Sequence, residues 1–208
     1  MEQNEIPVYL VLGFLESGKT TFVQQTLEDK RFVKDENVLY LTCEEGEVEA
    51  DPTTFGSDNV FCQVIEDPED LTEANLSVLV RKHNITKVLI EYNGMWLLDE
   101  LYNAFPEKWM VYQEFMFADA NTFESYNANM RQLTYDKLKS AELVVFNRFQ
   151  PEMDKMEFHK IVRGASRSCD IAYEAKNGDV SYDDIIDPLP FDLNAPIVEI
   201  GDEDYAVW

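Results

Sequence analysis

The chain has 208 residues, of which 45% are hydrophobic, and 17 basic residues against 41 acidic ones give a formal net charge of -24. This hydrophobic content is enough for one substantial domain with a single core. The negative charge would repel nucleic acid and anionic lipid over most of the surface, so we expect neither as a partner. No stretch approaches the roughly 18 apolar residues that span a bilayer, and the N-terminus is acidic, so we expect a cytoplasmic protein.

Apolar runs alternate along the chain with longer stretches of helical period, a rhythm typical of an α/β fold. The apolar runs predict strands at residues 8–12, 38–41, 60–65, 88–90, 111–117 and 143–146. The stretches between them predict helices at residues 19–29, 68–83, 95–104, 122–139 and 152–163. We therefore expect three layers, with a mostly parallel central sheet covered by helices on both faces.

The last part of the chain differs in composition from the rest. Residues 183–208 are rich in Asp and Pro and finish in apolar residues. We expect one domain over residues 1–182, followed by an acidic, proline-containing tail or linker over residues 183–208. Such a linker would lead to a domain that is absent from this chain.

The segment Gly13-Phe-Leu-Glu-Ser-Gly-Lys-Thr20 follows the first predicted strand and opens the first predicted helix. It matches the phosphate-binding pattern GxxxxGK(S/T) in the strand-to-helix context that this pattern requires. Glycines let backbone N–H groups turn towards a phosphate, and the helix N-terminus adds a positive dipole end. We expect Lys19 to reach the β and γ phosphates and Thr20 to place its hydroxyl on Mg²⁺. The residues expected to contact a nucleotide here are Gly13, Glu16, Ser17, Gly18, Lys19, Thr20 and Thr21.

Acidic and polar residues follow three of the other predicted strands. Because ligands bind at the carboxyl ends of parallel strands, we expect Glu91 to hold Mg²⁺ directly or through water. The acidic loop after residue 41 contains Glu44 and Asp51, which we expect to hold magnesium or a second metal and to sense the γ phosphate. Solvated carboxylates are the alternative for these positions. Asn147 and Arg148 end the last predicted strand, where a base-contacting loop occurs in GTPases.

Together these segments resemble the N-terminal GTPase domain of the CobW family, a relative of the nickel-insertion GTPases of hydrogenase and urease maturation. The family's G-F-L-G-S-G-K-T-T, N-E-F-G-E and E-x-x-G segments correspond to residues 13–21, 43–51 and 91–94. Its V-D-A segment corresponds to residues 118–120, and its Q-x-x-x-A-D-x-x-x-x-N-K-x-D run to residues 132–150. The resemblance covers residues 7 to 150. It implies a P-loop NTPase fold that binds GTP or GDP with Mg²⁺.

The sequence departs from the family pattern in two places, one linked to metal binding and the other to recognition of the nucleotide base. The family's C-x-C-C signature would fall near residues 61–67, where only Cys62 is present. We expect the cysteines to be small buried residues, and at most weak zinc or cobalt binding through Cys62 or Cys43. The final Asp of N-K-x-D falls on Gln150, with Arg148 in the Lys position. Because guanine presents two adjacent donors and Gln offers one acceptor oxygen, we expect only a modest preference for guanine over adenine.

The resemblance implies slow, magnesium-dependent GTP hydrolysis that acts as a switch in the maturation of a metal centre or a cofactor-related protein. A protein partner or a second domain would respond to the switch. We expect slow turnover because Arg131, Arg163 and Arg167 are arginine-finger candidates by residue type alone. The alternatives are a nucleotide-gated binding module without significant hydrolysis and an ATP-binding P-loop protein. The protein could also form a homodimer. The residues expected to act in catalysis are Lys19, Thr20 and Glu91.

Overall fold

The computed structural model describes residues 5–44 and 49–185, so the predicted loop residues 45–48 and tail residues 186–208 lie outside the described part. The strands are β1 (Ile6–Leu12), β2 (Val38–Thr42), β3 (Val60–Val64), β4 (Lys87–Glu91), β5 (Trp109–Asp119), β6 (Leu143–Phe149), β7 (Asp170–Ala175) and β8 (Val180–Tyr182). The α-helices are α1 (Lys19–Glu28), α2 (Lys30–Val33), α3 (Glu73–His83), α4 (Leu98–Asn103), α5 (Phe123–Asn129), α6 (Arg131–Ser140) and α7 (Lys155–Ala165). Short 3-10 helices cover Pro52–Thr54 and Pro68–Asp70.

One sheet contains all the described strands, in the order β3-β2-β4-β1-β5-β6-β7-β8. Every neighbouring pair is parallel except β7 and β8, which are antiparallel. The central strand β1 pairs with β4 on one side and with β5 on the other, with Val11 opposite Glu91. Because the strands from β3 to β7 run the same way, their carboxyl ends lie along one edge, and the loops that follow them meet there.

Helices cover both faces of the sheet. On one face, Val23 and Leu27 of α1 pack against Leu89 and Phe117 of the sheet. On the other face, α3 to α7 bury the core residues Leu76, Leu98, Leu101, Phe123, Leu138, Phe158 and Val162. The predicted three-layer α/β fold with a mostly parallel sheet is therefore confirmed. No helix within the described ranges is long and apolar enough to cross a membrane.

The helix predicted at residues 122–139 is in fact two helices, α5 and α6. They are separated at Met130, whose backbone dihedrals of φ -130 and ψ 45 lie outside the helical region. The helix predicted from residue 68 begins as a 3-10 turn, and α3 starts only after Thr72, whose hydroxyl accepts a hydrogen bond from the Asn75 N–H. The strands β7 and β8 are not among the strands predicted from the sequence.

The folded unit continues past β8, and so past the predicted domain boundary at residue 182. The backbone N–H of Asp183 donates to Ile171 O at 2.9 Å, which extends the pairing with β7. Its carboxylate lies 2.6 Å from Nδ1 of His159 on α7 and also accepts from the Tyr173 hydroxyl at 3.2 Å. Asp183, the first residue of the expected tail, thus packs onto the domain, and the tail over residues 183–208 stays a prediction.

Candidate functional site

The loop between β1 and α1 depends on two glycines with positive φ. Gly13 has φ 142 and Gly18 has φ 91, values that residues with a side chain rarely adopt. A Cβ atom would lie 2.2 Å from Phe117 O at Gly13 and 2.6 Å from Asn147 Nδ2 at Gly18. Both positions therefore require glycine for conformation and for space. The loop also places Glu16 at φ 59, where a residue other than glycine costs about 1 to 2 kcal/mol.

Three side chains hold carbonyl oxygens of this loop. Asn147 Nδ2 donates to Ser17 O at 2.5 Å, and Arg148 Nη1 donates to Glu16 O at 3.0 Å. Lys19 Nζ donates to Phe14 O at 2.8 Å. No side chain among the described residues caps the N-terminus of α1, so its first N–H groups stay available for an anion. The hydroxyl of Ser17 is buried and has no hydrogen-bond partner among the described residues, as a polar ligand site would leave it.

A cavity of about 310 Å³ opens at the N-terminus of α1; we call it the phosphate cavity. It brings together nearly all the side chains predicted to contact phosphate or magnesium. Its lining consists of Leu15, Glu16, Ser17, Gly18, Lys19, Thr20, Thr21, Glu44, Glu91 and Arg148. Of the other predicted residues, Gly13 and Asn147 support the loop from outside the cavity, and Asp51 is not in its lining.

The ammonium group of Lys19 is paired with a carboxylate inside this cavity. Its Nζ lies 2.5 Å from Oε2 of Glu44, and the two side chains are only 2% and 11% exposed. The carboxylate oxygen occupies the position beside Lys19 that a phosphate oxygen takes when a nucleotide binds to such a loop. If Lys19 contacts phosphate as the sequence predicts, a bound phosphate would compete with Glu44 for this cation.

Two oxygen atoms suited to Mg²⁺ meet on the other side of the cavity. The Thr20 hydroxyl donates to Glu91 Oε1 at 2.6 Å, and the Tyr40 hydroxyl donates to Glu91 Oε2 at 2.7 Å. Burial and the charge of Glu91 raise the pKa of Tyr40, so its hydroxyl stays protonated and orients the carboxylate. Within the described ranges no group of three or more His, Cys, Asp or Glu could hold a metal. Magnesium fits Thr20 and Glu91 because it usually takes one or two protein ligands and completes its shell with phosphate and water.

Asp51 lies away from the pair formed by Thr20 and Glu91. Its Oδ1 accepts from the backbone N–H and the hydroxyl of Thr53, at 2.9 and 2.7 Å, and caps the 3-10 helix at Pro52–Thr54. Its backbone N–H donates to Gln24 of α1. The structure thus brings Glu44 but not Asp51 to the phosphate cavity, and the metal role of both stays a prediction.

The cysteines belong to no group that could hold a metal within the described residues. Cys43 follows β2 and is buried, and this burial raises the pKa of its thiol to about 12. Cys62 on β3 is exposed, so the expectation that all three cysteines are buried was wrong for this one. Partial burial of its sulfur still raises the pKa of Cys62. Both thiols are therefore protonated at neutral pH, whereas thiolate is the metal-binding form.

A second cavity, of about 400 Å³, adjoins the first; we call it the lateral groove. It shares Gly18, Thr21 and Arg148 with the phosphate cavity and continues past Asn147 to the end of β7. The Gln150 side chain lines neither cavity, because its amide donates to Asn121 Oδ1 at 2.9 Å. The sequence analysis did not find the β7 end of this groove, because it did not predict the strand.

The fold and the loop define a P-loop nucleotide-binding protein. The family model of the CobW/HypB/UreG nucleotide-binding domain matches residues 7–170, and the chain belongs to this family. No curated protein matches the chain. The expected kinship with the CobW family is therefore confirmed, and the family and its structural neighbours include GTPases.

Solved structures share the fold at low sequence identity. The Zn(II)-bound YjiA GTPase from E. coli is 18% identical, with a TM-score of 0.54 over 77% of this chain and 55% of that one. The hydrogenase maturation factor HypB from Archaeoglobus fulgidus is 14% identical, with a TM-score of 0.56 over 83% and 82%. FlhF complexed with GMPPNP and Mg²⁺ is 12% identical, with a TM-score of 0.52 over 88% and 71%. The chain spans little more than half the length of the YjiA GTPase.

A buried lysine, which the sequence analysis missed, lies behind the phosphate loop. The side chain of Lys137 on α6 is 0% exposed, and its Nζ donates to Trp96 O at 3.1 Å. The ammonium group also lies 5.9 Å from the centre of the Phe14 ring and 4.0 Å from Oδ2 of Asp136. Burial lowers the pKa of Lys137 from 10.5 to about 8, although Asp136 acts in the opposite direction.

This lowered pKa makes stability depend on pH. Between the folded and unfolded pKa values, Lys137 is neutral in the folded protein and charged in the unfolded chain, so its contribution to stability rises with pH. We expect the free energy of unfolding of wild type, relative to Lys137→Met, to increase by about 2 kcal/mol between roughly pH 7.5 and roughly pH 9.5. Urea unfolding of both proteins at each pH measures this difference in the free energy of unfolding. The exposed Lys160→Met variant is the control, and a difference that stays constant with pH contradicts the lowered pKa.

Proposed function

We propose that this chain binds GTP with Mg²⁺ in the phosphate cavity and hydrolyses it slowly. The nucleotide state then controls docking to a partner protein or a second domain in the maturation of a metal centre or a cofactor-related protein. The observation that carries the proposal is the convergence of Lys19, Thr20 and Glu91 on one cavity at the N-terminus of α1. Membership of the CobW/HypB/UreG family and the likeness to YjiA GTPase and hydrogenase maturation factor HypB support it.

Each of these residues has a separate task with the nucleotide. Lys19 and the N-terminal amides of α1 stabilise negative charge on the phosphates. The Thr20 hydroxyl and the Glu91 carboxylate hold Mg²⁺, which would bridge phosphate oxygens and offset their charge when bound. Glu44 gives up its ion pair with Lys19 as the phosphates arrive, so the acidic loop that follows it responds to the nucleotide.

Slow hydrolysis follows from the positions of the arginines. Arg131, Arg163 and Arg167 are absent from the lining of the phosphate cavity. Arg148 does line it, but its Nη1 is bonded to Asp119 Oδ2 at 2.6 Å and to Glu16 O. An arginine on the transferring phosphate accelerates such reactions by about 10³ to 10⁵, and without it we expect turnover on the order of 10⁻³ per second or less.

The ion pair between Lys19 and Glu44 also favours a second candidate, a nucleotide-gated binding module. Exchange of a carboxylate for a phosphate at Lys19 would displace the acidic loop whether or not hydrolysis follows. Timed release of phosphate from GTP separates the two candidates. We expect slow release with Mg²⁺ that stops when the ion is chelated. Absence of release alongside tight GTP binding would leave the gated module as the function.

Lys19→Ala tests the phosphate assignment. We expect GTP affinity to fall by at least about a hundredfold, because the ammonium group makes charge-assisted contacts to the phosphates. The fold should persist, as far-ultraviolet circular dichroism would show, since Lys19 serves the ligand more than the core. Lys160→Ala on the exposed face of α7 is the matched control. Unchanged GTP affinity in folded Lys19→Ala would remove the phosphate site from the account.

Glu91→Gln tests the magnesium assignment. We expect GTP affinity to fall about tenfold with Mg²⁺ and far less without it, because the carboxylate acts on the nucleotide through the ion. Calorimetric titration in the presence and absence of Mg²⁺ measures the two GTP affinities. Glu107→Gln, just before the amino end of β5, is the control. Equal losses under both conditions would make Glu91 a purely structural residue.

A further inference from the structure

The lateral groove ends in a carboxylate that the phosphate chemistry does not use. Glu174 and Asn147 both line the groove, on the adjacent strands β7 and β6. The register pairs Phe146 with Tyr173 and Phe149 with Ala175, so the irregular turn of β6 at Asn147 lies beside Glu174. Tyr173 is buried in the core on the face opposite α1, and alternation along the strand directs Glu174 to the α1 side.

The Glu174 carboxylate has no hydrogen-bond or ion-pair partner in the part of the chain that the structure describes. No hydrogen bond or ion pair among residues 5–44 and 49–185 involves this side chain. The Glu174 side chain is half-buried, whereas Lys176, two residues further along the chain, is exposed. A partly desolvated carboxylate without a donor is a site for a ligand that presents N–H groups.

We propose that Glu174 recognises the guanine base by accepting hydrogen bonds from its ring N–H and its exocyclic amine. The inference rests on the proposed function, because a purine nucleotide must already hold its phosphates at Lys19. The groove and the phosphate cavity share Gly18, Thr21 and Arg148, so one nucleotide spans both, with its base towards β7. Glu174 is then a specificity-determining residue supplied by β7.

The two purines differ in what they offer to this carboxylate. Guanine presents two adjacent donors, which match the two oxygens of a carboxylate. Adenine has an acceptor nitrogen in place of the ring N–H and a C–H group where guanine carries its amine, so the carboxylate would face a lone pair and stay partly desolvated. Gln150, in the position where the family pattern has its base-binding Asp, is turned towards Asn121 and cannot supply the second acceptor in this conformation. A strong guanine preference is therefore the expected behaviour, in place of the modest one that Gln150 alone predicts.

Glu174→Gln provides the test, measured by calorimetric titration with GDP and xanthosine diphosphate. Xanthine keeps the ring N–H but replaces the exocyclic amine with a carbonyl oxygen, which a glutamine amide can meet with its own N–H. We expect GDP affinity to fall by about ten- to a hundredfold and xanthosine diphosphate affinity to rise by about tenfold. A merely structural change would weaken both ligands together and give no such reversal.

Control variants show whether Glu174 or another residue is the source of guanine selectivity. Glu107→Gln, an exposed residue near the far edge of the sheet, should leave both affinities unchanged, and Gln150→Ala should leave the ratio of the two affinities unchanged. If Glu174→Gln keeps the wild-type ratio, or if Gln150→Ala removes the preference for GDP, the inference is overturned while nucleotide binding itself stands. If wild type binds neither GDP nor ADP, the proposed function fails first, and with it the role of Glu174.

Discussion

The phosphate loop keeps its shape because donors from distant parts of the chain hold its carbonyl oxygens. Asn147 reaches Ser17 O and Arg148 reaches Glu16 O, across 130 and 132 residues of sequence. These contacts are possible because β1, β5 and β6 run parallel and end at the same edge of the sheet. A loop that contains glycines at φ 142 and 91 would otherwise have many conformations to lose on binding. The fold thus holds the loop in one conformation, which is the preorganisation that the proposed phosphate site requires.

The positive charge at this site is local, and it is already paired with a carboxylate. A chain with a formal net charge of -24 cannot attract a nucleotide through its overall field, so a local positive charge must do so, and we propose Lys19 and the N-terminus of α1 as its source. In the structure Lys19 is bound to Glu44, and a second carboxylate, Glu91, lies beside Thr20. Under the proposed function, phosphate binding would exchange one anion for another at Lys19. Such an exchange would couple the nucleotide to Glu44, which is the physical basis of the proposed switch.

Much of the architecture could be predicted from the sequence because the central strands are long apolar runs and the phosphate loop matches a specific motif at residues 13–20. The phosphate loop, its strand and helix, and Glu91 at the end of β4 all follow from local patterns. By contrast, β7 has only the short apolar run Ile171 to Tyr173 between polar residues, too weak a pattern to predict a strand. Because β7 was not predicted, the position of Glu174 could not be predicted either. The burial of Lys137 and the direction of Gln150 depend on tertiary packing, which no local pattern encodes.

The central claim is that the loop at the start of α1 binds the phosphates of GTP together with Mg²⁺. Thermal unfolding of the wild-type chain with GTP, GDP, ATP or ADP, each with Mg²⁺ or with a chelator, tests it most directly. At a ligand concentration of about 100 times Kd, binding stabilises the folded state by about 2.7 kcal/mol, which raises the midpoint by several degrees. The account predicts the largest rise with GTP and Mg²⁺, and a smaller one when the ion is chelated. An unfolding midpoint that no nucleotide changes would contradict it.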